Sequence, residues 1–155
     1  MIERYNPIEG CRMLAREIKN HYVVIGYTHL GERLVDYLRD NALPYVLIEE
    51  DREKVNDLLK EGDPIVVANP LKKDALSDAN VSQAKGVIVT IDDVEASIIL
   101  TKRIRDLNKG CLLIVRNFHD ELTEVLESLG ASEVISSSKT AIGQILAKLN
   151  LKSPT

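Results

Sequence analysis

The chain has 155 residues, 45% of them hydrophobic and 28% charged, with 20 Lys and Arg against 24 Asp and Glu for a formal charge of -4. That length and apolar share suffice for one domain with its own core, while an acidic balance without a basic tract excludes an extended nucleic-acid surface. No apolar stretch approaches the roughly 18 residues needed to cross a bilayer, the start MIERYNP is not a signal peptide, and Cys11 and Cys111 give neither a disulfide framework nor a metal-ligand spacing, so a soluble chain in a reducing compartment is expected.

In chain order, PIEGCRMLAREIKN reads as an amphipathic lead-in helix that ends directly at a first apolar run, YVVI from Tyr22. Five further short apolar runs follow: YVLI at 45, IVVA at 65, GVIVT at 86, CLLIV at 111 and EVIS at 133. Segments with helical spacing separate them, so strand and helix alternate. Runs this continuously apolar suit strands covered on both faces, hence a parallel sheet. Right-handed crossovers then predict an α/β, Rossmann-like, doubly wound six-stranded sheet in the order 3-2-1-4-5-6. Gly31 is expected to open the helix after the first strand, Asp51 the next, Asp92 and Asp93 the one after the fourth strand and Asp120 the one after the fifth. Acidic residues favour the positive end of a helix. Pro44, Pro64 and Pro70 fall in connections. Beyond this core, SSSKTAIGQILAKLNLKSPT carries Ile142, Ile145, Leu146 and Leu149 as an apolar stripe. That stripe must pack back on the sheet or on another chain. The expected organisation is a connector helix in 1–20, the sheet domain in 21–136, and a crossover helix and tail in 137–155.

In open α/β sheets the ligand crevice lies outside the carboxyl ends of the strands, where the strand order reverses. There the sequence reads Gly26-Tyr27-Thr28-His29-Leu30-Gly31, the outline of G-x-G-x-x-G with a threonine at the middle glycine. Gly26 permits the tight turn and Gly31 close packing of helix on strand. The middle glycine is the one that lets backbone approach a pyrophosphate, and the Thr28 hydroxyl could compensate in part by donating a hydrogen bond. Glu49, at the end of the second strand, sits where an acid would accept from a ribose hydroxyl, although Glu49, Glu50 and Asp51 also read as acids preceding a helix. The candidate cofactor-binding residues are Gly26, Tyr27, Thr28, His29, Leu30, Gly31, Glu49, Glu50, Asn69, Thr90 and Asp92, with an adenine nucleotide (NAD, ATP, ADP or AMP) as the ligand class. No catalytic residue is assigned. None of the five tyrosines has a lysine four residues on, neither the nucleophile elbow nor the P-loop pattern occurs, and His29 and His119 read as polar loop residues. Carboxylates gather in TIDDVEA and FHDELTEVLE, but as first-turn helix residues, and no metal site is predicted.

Over roughly Lys19 to Leu149 the pattern resembles the RCK domain family (regulator of potassium conductance, also called TrkA-N or KTN). HYVVIGYTHLGERLVDYL is similar to its opening strand and helix, YVLIEEDREKV to its acid-ended second strand, and LGASEVISSSKTAIGQIL to the Gly-Ala-Asp-x-Val-Ile-Ser-Pro signature before a long crossover helix. The resemblance implies a ligand-sensing module on the cytoplasmic side of the cell membrane, tied to a potassium channel's pore domain in the same or a partner chain. It also implies a homodimer that assembles into a larger ring, pairing through the helices after the fourth and fifth strands and swapping the crossover helix. The residues then expected at the contact are Ile98, Ile99 and Ile104, Leu122, Val125 and Leu126, and Ile142, Ile145 and Leu149. Alternatives are a soluble nucleotide-binding subunit of a potassium uptake transporter and an NAD-dependent oxidoreductase lacking its substrate domain. Thr28, His29 and Ala68-Asn69 depart from the family pattern. Positions that carry acidic ligands in calcium-gated members are here Asn69, Arg116 and Phe118, so that calcium site is absent.

Overall fold

A computed structural model describes residues 6–153; Met1 and Tyr5, read above from sequence, lie outside them. The elements run α1 (Pro7–Glu17), β1 (Tyr22–Ile25), α2 (His29–Asp40), β2 (Tyr45–Glu49), α3 (Asn56–Lys60), β3 (Ile65–Val67), α4 (Ala75–Asp78), β4 (Gly86–Val89), α5 (Val94–Leu107), β5 (Leu112–Asn117), α6 (Thr123–Leu129), β6 (Glu133–Ser136) and α7 (Ser137–Lys148). The six strands form one sheet in the order β3-β2-β1-β4-β5-β6, with every pair parallel. This is the doubly wound arrangement expected from the six apolar runs.

Two cores form because strand side chains alternate in direction. Val23, Ile25, Val46, Ile48, Val87, Val89, Leu113 and Val115 pack on one face with Leu76 of α4, Leu100 and Ile104 of α5 and Leu126 of α6. Val24, Leu47 and Ile65 pack on the other with Val35 and Leu38 of α2 and Leu58 and Leu59 of α3. Among the described residues, the second face is covered only over β1 to β3. Across β4, β5 and β6, Ile88 and Ile114 are half-buried, and Leu112 and Ile135 are exposed. The sheet thus keeps an uncovered apolar stripe.

Helix α7 does not cover it. Ser136 caps α7 by accepting from the Lys139 N–H, yet none of its residues is buried, and Ile142, Ile145 and Leu149 are exposed. Of the other residues expected at a contact between copies, Ile99 and Val125 are exposed, and Ile98 and Leu122 are half-buried. Ile104 and Leu126 are corrected: both are buried in the chain's own core and present no surface to a partner.

The lead-in helix is capped by Asn6, whose Oδ1 accepts from the Ile8 and Glu9 N–H groups, with Pro7 in the first turn. Cys11 and Ala15 are buried, and the Arg16 guanidinium meets the buried Asp78 carboxylate of α4 at 2.6 Å. Asn80, in the left-handed region at φ 52, donates its amide to the Ile18 carbonyl at 2.8 Å. The helix is therefore fastened to the domain at two points before β1 begins.

At that junction His21 is fully buried, with Nε2 2.9 Å from the Ala79 carbonyl and Nδ1 without a partner. The carbonyl can only accept, so Nε2 carries the proton and the Nδ1 lone pair faces the core. Burial lowers the pKa from its ordinary value, since a second proton would place a charge there. A folded state that binds fewer protons than the unfolded chain is destabilised by acid. The contribution should be complete above about pH 6.5 and lost as the pH falls through the folded pKa, by up to about 1.4 kcal/mol per pH unit. Urea midpoints measured downward from neutrality check this. His21→Leu, less stable at neutral pH, should lose stability less steeply between about pH 6.5 and 5; an unchanged slope counts against the assignment.

Candidate functional site

The carboxyl ends of β1 and β4 meet at the point where the strand order reverses, and the β1–α2 turn stands over it. Gly26 has φ +99, a conformation that a side chain rarely adopts, and a Cβ there would lie 2.7 Å from Ile91 Cγ2. Gly31 lies in the first turn of α2, and a Cβ on it would sit 2.0 Å from the Gly26 carbonyl oxygen. The two glycines thus have separate reasons: Gly26 takes a left-handed turn against Thr90 and Ile91, and Gly31 lets the helix descend onto the backbone of Gly26.

Gly31 does not open the helix, as expected from sequence; α2 begins at His29, with Thr28 as its cap. Thr28 is extended (φ -73, ψ 176), and its Oγ1 accepts from the Gly31 N–H at 3.1 Å. The same hydroxyl donates to Thr90 Oγ1 at 2.9 Å. Thr90, fully buried at the end of β4, lies 3.0 and 2.8 Å from the Ile25 and Gly26 carbonyls, to which it donates. A chain of hydroxyls therefore crosses from β1 to β4. Threonine is a good cap because its oxygen reaches the third amide of the helix, a signal legible in Thr28-x-x-Gly31 but masked by reading the position as a missing glycine.

Glu49 lies across the turn. One carboxylate oxygen accepts from the Tyr27 N–H and the other from the Asp51 N–H, both at 2.7 Å. Buried at the end of β2, it clasps the β1–α2 turn to the loop after β2. Each oxygen keeps a lone pair for a ligand hydroxyl. The remaining amides of the turn, those of Thr28, His29 and Leu30, hold no partner among the described residues. They point outward at the positive end of a twelve-residue helix.

The structure thus joins Gly26, Tyr27, Thr28, Gly31, Glu49 and Thr90 into one bonded unit, with His29 and Leu30 exposed on its outer lip. Glu50 and Asp92 are exposed and share no hydrogen bond with it. Asn69 stands apart at the end of β3, its side chain accepting from the Leu71 N–H within its own turn. Ile91, which fills the space above Gly26, was not anticipated, because an isoleucine after a strand carries no ligand signal.

A groove of about 640 Å³ opens from Tyr27, Thr28 and His29 along α2 toward Lys54, Asp57 and Leu58. A separate small pocket of about 10 Å³ lies between α5, β5 and α6, beside Ile91, Asp93, Ser97, Arg116 and Phe118. Asp93 is engaged as the α5 cap, accepting from the Ala96 N–H, and Asp120 accepts from the Ser136 hydroxyl at 2.5 Å. The Arg116 guanidinium stacks 4.5 Å from the Phe118 ring centroid. Among the described residues, no group of three or more His, Cys, Asp and Glu side chains is placed to hold a metal, and no helix is long and apolar enough to cross a membrane.

Residues 22–137 match the TrkA-N domain family. Probable potassium channel protein 2 of Methanocaldococcus jannaschii is 27% identical over 141 residues, covering 86% of this chain and 40% of that protein. The chain therefore spans about two fifths of this relative. The TrkA-N domain of the inner membrane protein YbaL from Escherichia coli superimposes with a TM-score of 0.82 at 26% identity, covering 86% of this chain and 98% of that one. The GsuK channel, solved bound to NAD and bound to ADP, shares the fold. The NAD-bound form matches with a TM-score of 0.71 at 20% identity over 84% of this chain and 23% of its own. The ADP-bound form matches with a TM-score of 0.70 at 24% identity over 90% and 38%.

Proposed function

The chain belongs to the TrkA-N domain family, and from that premise we propose that it is a regulatory domain of a potassium channel. In this reading it lies on the cytoplasmic side of the membrane and senses an adenine nucleotide at the β1–α2 turn. Paired copies of the chain pass the change to a pore. The observation that carries the proposal is the pairing of a preformed turn with an unpartnered helix. Glu49 and the outward amides of Thr28, His29 and Leu30 offer an acceptor for a ribose and donors for a phosphate. Helix α7 has no buried residue, while Ile88, Ile114 and Ile135 lack a covering helix among the described residues. A second copy supplying its α7 would cover that stripe, so ligand-induced movement of one domain would act on its neighbour. The nucleotides bound by the GsuK channel support the ligand class.

No catalytic step is assigned. His29 and His119 are exposed, and His119 Nδ1 lies 3.7 Å from a Glu121 carboxylate oxygen. Hydride turnover by the purified chain would overturn this and favour an oxidoreductase completed by a second chain. Calorimetry with AMP, ADP, ATP and NAD tests the sensing role directly. At least one should bind the wild-type chain, and Glu49→Gln, which sets an amide against the Asp51 N–H, should weaken it about tenfold or more. Flat titrations with all four would leave the turn as architecture alone.

A further inference from the structure

The turn between β3 and α4 is held by its own hydrogen bonds. The Asn69 carboxamide oxygen accepts from the Leu71 N–H at 2.9 Å, and the Asn69 carbonyl accepts from the Lys72 N–H at 2.9 Å. Arg103 of α5 reaches across to the same turn and donates to the Leu71 carbonyl at 2.9 Å. Between this turn, α4 and the end of α5 a groove of about 590 Å³ opens, with Leu71, Leu76 and Leu107 as its apolar lining and Lys72, Lys73 and Arg103 at its polar edge. It shares no residue with the β1–α2 turn.

Its charge is one-sided. A carbonyl takes one of the five guanidinium N–H groups and none of the charge. Among the described residues no carboxylate oxygen lies within 4.0 Å of Lys72, Lys73 or Arg103. Asp106, which also lines the groove, is neutralised along its own helix by Lys102 at 2.7 Å and Lys109 at 3.6 Å. Three uncompensated cations thus ring a leucine surface in a chain whose formal charge is -4. The groove along α2 has the opposite sign, with Glu32, Asp36, Asp57 and Glu61 against Arg39 and Lys54, so an anion with an apolar body is matched only between α4 and α5.

Shape decides among anionic occupants. Leu76 lines the groove while only 4% exposed, beyond the reach of a flat bilayer surface. The α4 wall is four residues long, about 6 Å of helix, too short to seat an amphipathic helix of even two turns at about 11 Å. A single flexible chain meets both limits. We propose that this groove binds a free amphiphilic carboxylate: an acyl chain lies on Leu71, Leu76 and Leu107, and its carboxylate is held by Lys72, Lys73 and Arg103. The assignment is independent of the nucleotide reading above.

The test is calorimetry of the full chain with sodium decanoate, against acetate and decanol, which keep only the charge or only the chain. Decanoate should saturate and bind at least about tenfold more tightly than either control. Leu107→Asp sets a carboxylate on a wall residue that is 46% exposed, and the double variant Lys72→Gln, Lys73→Gln removes two exposed cations, so both should keep the fold by circular dichroism. Each should weaken decanoate at least about tenfold, whereas Lys54→Gln, in the acidic groove, should leave it unchanged. No saturable decanoate binding, decanol binding as tightly, or equal affinity in wild type and both groove variants overturns the assignment. Two further results also overturn it: lysine-dependent sedimentation with phosphatidylglycerol vesicles but no decanoate binding, which gives the lysines to a lipid surface, and a dimer lost in Leu107→Asp without decanoate binding, which gives the groove to a second copy.

Discussion

Gly31→Ala should remove at least about 3 kcal/mol of stability, a large share of the 5 to 15 kcal/mol that holds a domain of this size. The new methyl would sit 2.0 Å from the Gly26 carbonyl oxygen, and that oxygen is fixed by the strand and by the hydroxyl of Thr90 at 2.8 Å. Neither backbone can give, because α2 is pinned on the sheet by buried Val35 and Leu38 and β1 is paired on both sides. The methyl must therefore lift the helix off the strand or break the turn. Urea denaturation followed by far-UV circular dichroism measures the loss. Gly143→Ala serves as the control. Gly143 is also helical, but a Cβ there meets nothing within 4 Å, so alanine should stabilise by about 0.5 to 1 kcal/mol through helix propensity alone. A Gly31→Ala midpoint equal to wild type would mean that the helix does not ride on Gly26 as described.

The second large effect concerns association. Wild type should sediment as a dimer at micromolar concentration and Ile145→Asp as a folded monomer. Ile145 is 53% exposed on a helix without a buried residue, so the substitution removes nothing from the chain's own core. A stable contact buries about 1,200 to 2,000 Å² in total. A carboxylate desolvated at its centre without a partner costs about 3 kcal/mol or more, weakening association at least about a hundredfold. Ile99→Asp, at 39% exposure on α5, should act in the same direction. Ile104→Asp should not: Ile104 is fully buried, and the charge would unfold the domain before any dimer could be assayed. Sedimentation velocity with circular dichroism separates the cases, and a wild-type chain that stays monomeric at high micromolar concentration refutes the contact.

The strand order, the parallel pairing and the place of the β1–α2 turn were all legible in residue order, because each depends on local pattern. A run such as Val23-Val24-Ile25 or Val46-Leu47-Ile48 has no polar side and must be covered on both faces, which only a parallel sheet under two helix layers provides. Gly26 and Gly31 likewise declare themselves, since a turn and a close crossing both demand a missing Cβ. What composition and spacing could not assign was which partner each capable group takes. Thr28 reads as a glycine lost; folded, it is the helix cap and one half of a bridge to Thr90, a residue 62 positions away. Glu49 reads as a ribose acceptor; folded, it already holds two amides from two loops. Ile104, Leu126 and Ile145 all belong to helical apolar patterns, yet the first two are core and the third is surface. Hydrophobicity is read along one chain, whereas burial depends on which helices reach which half of the sheet. Here α5 and α6 reach one face of β4 to β6, and no helix among the described residues covers the other.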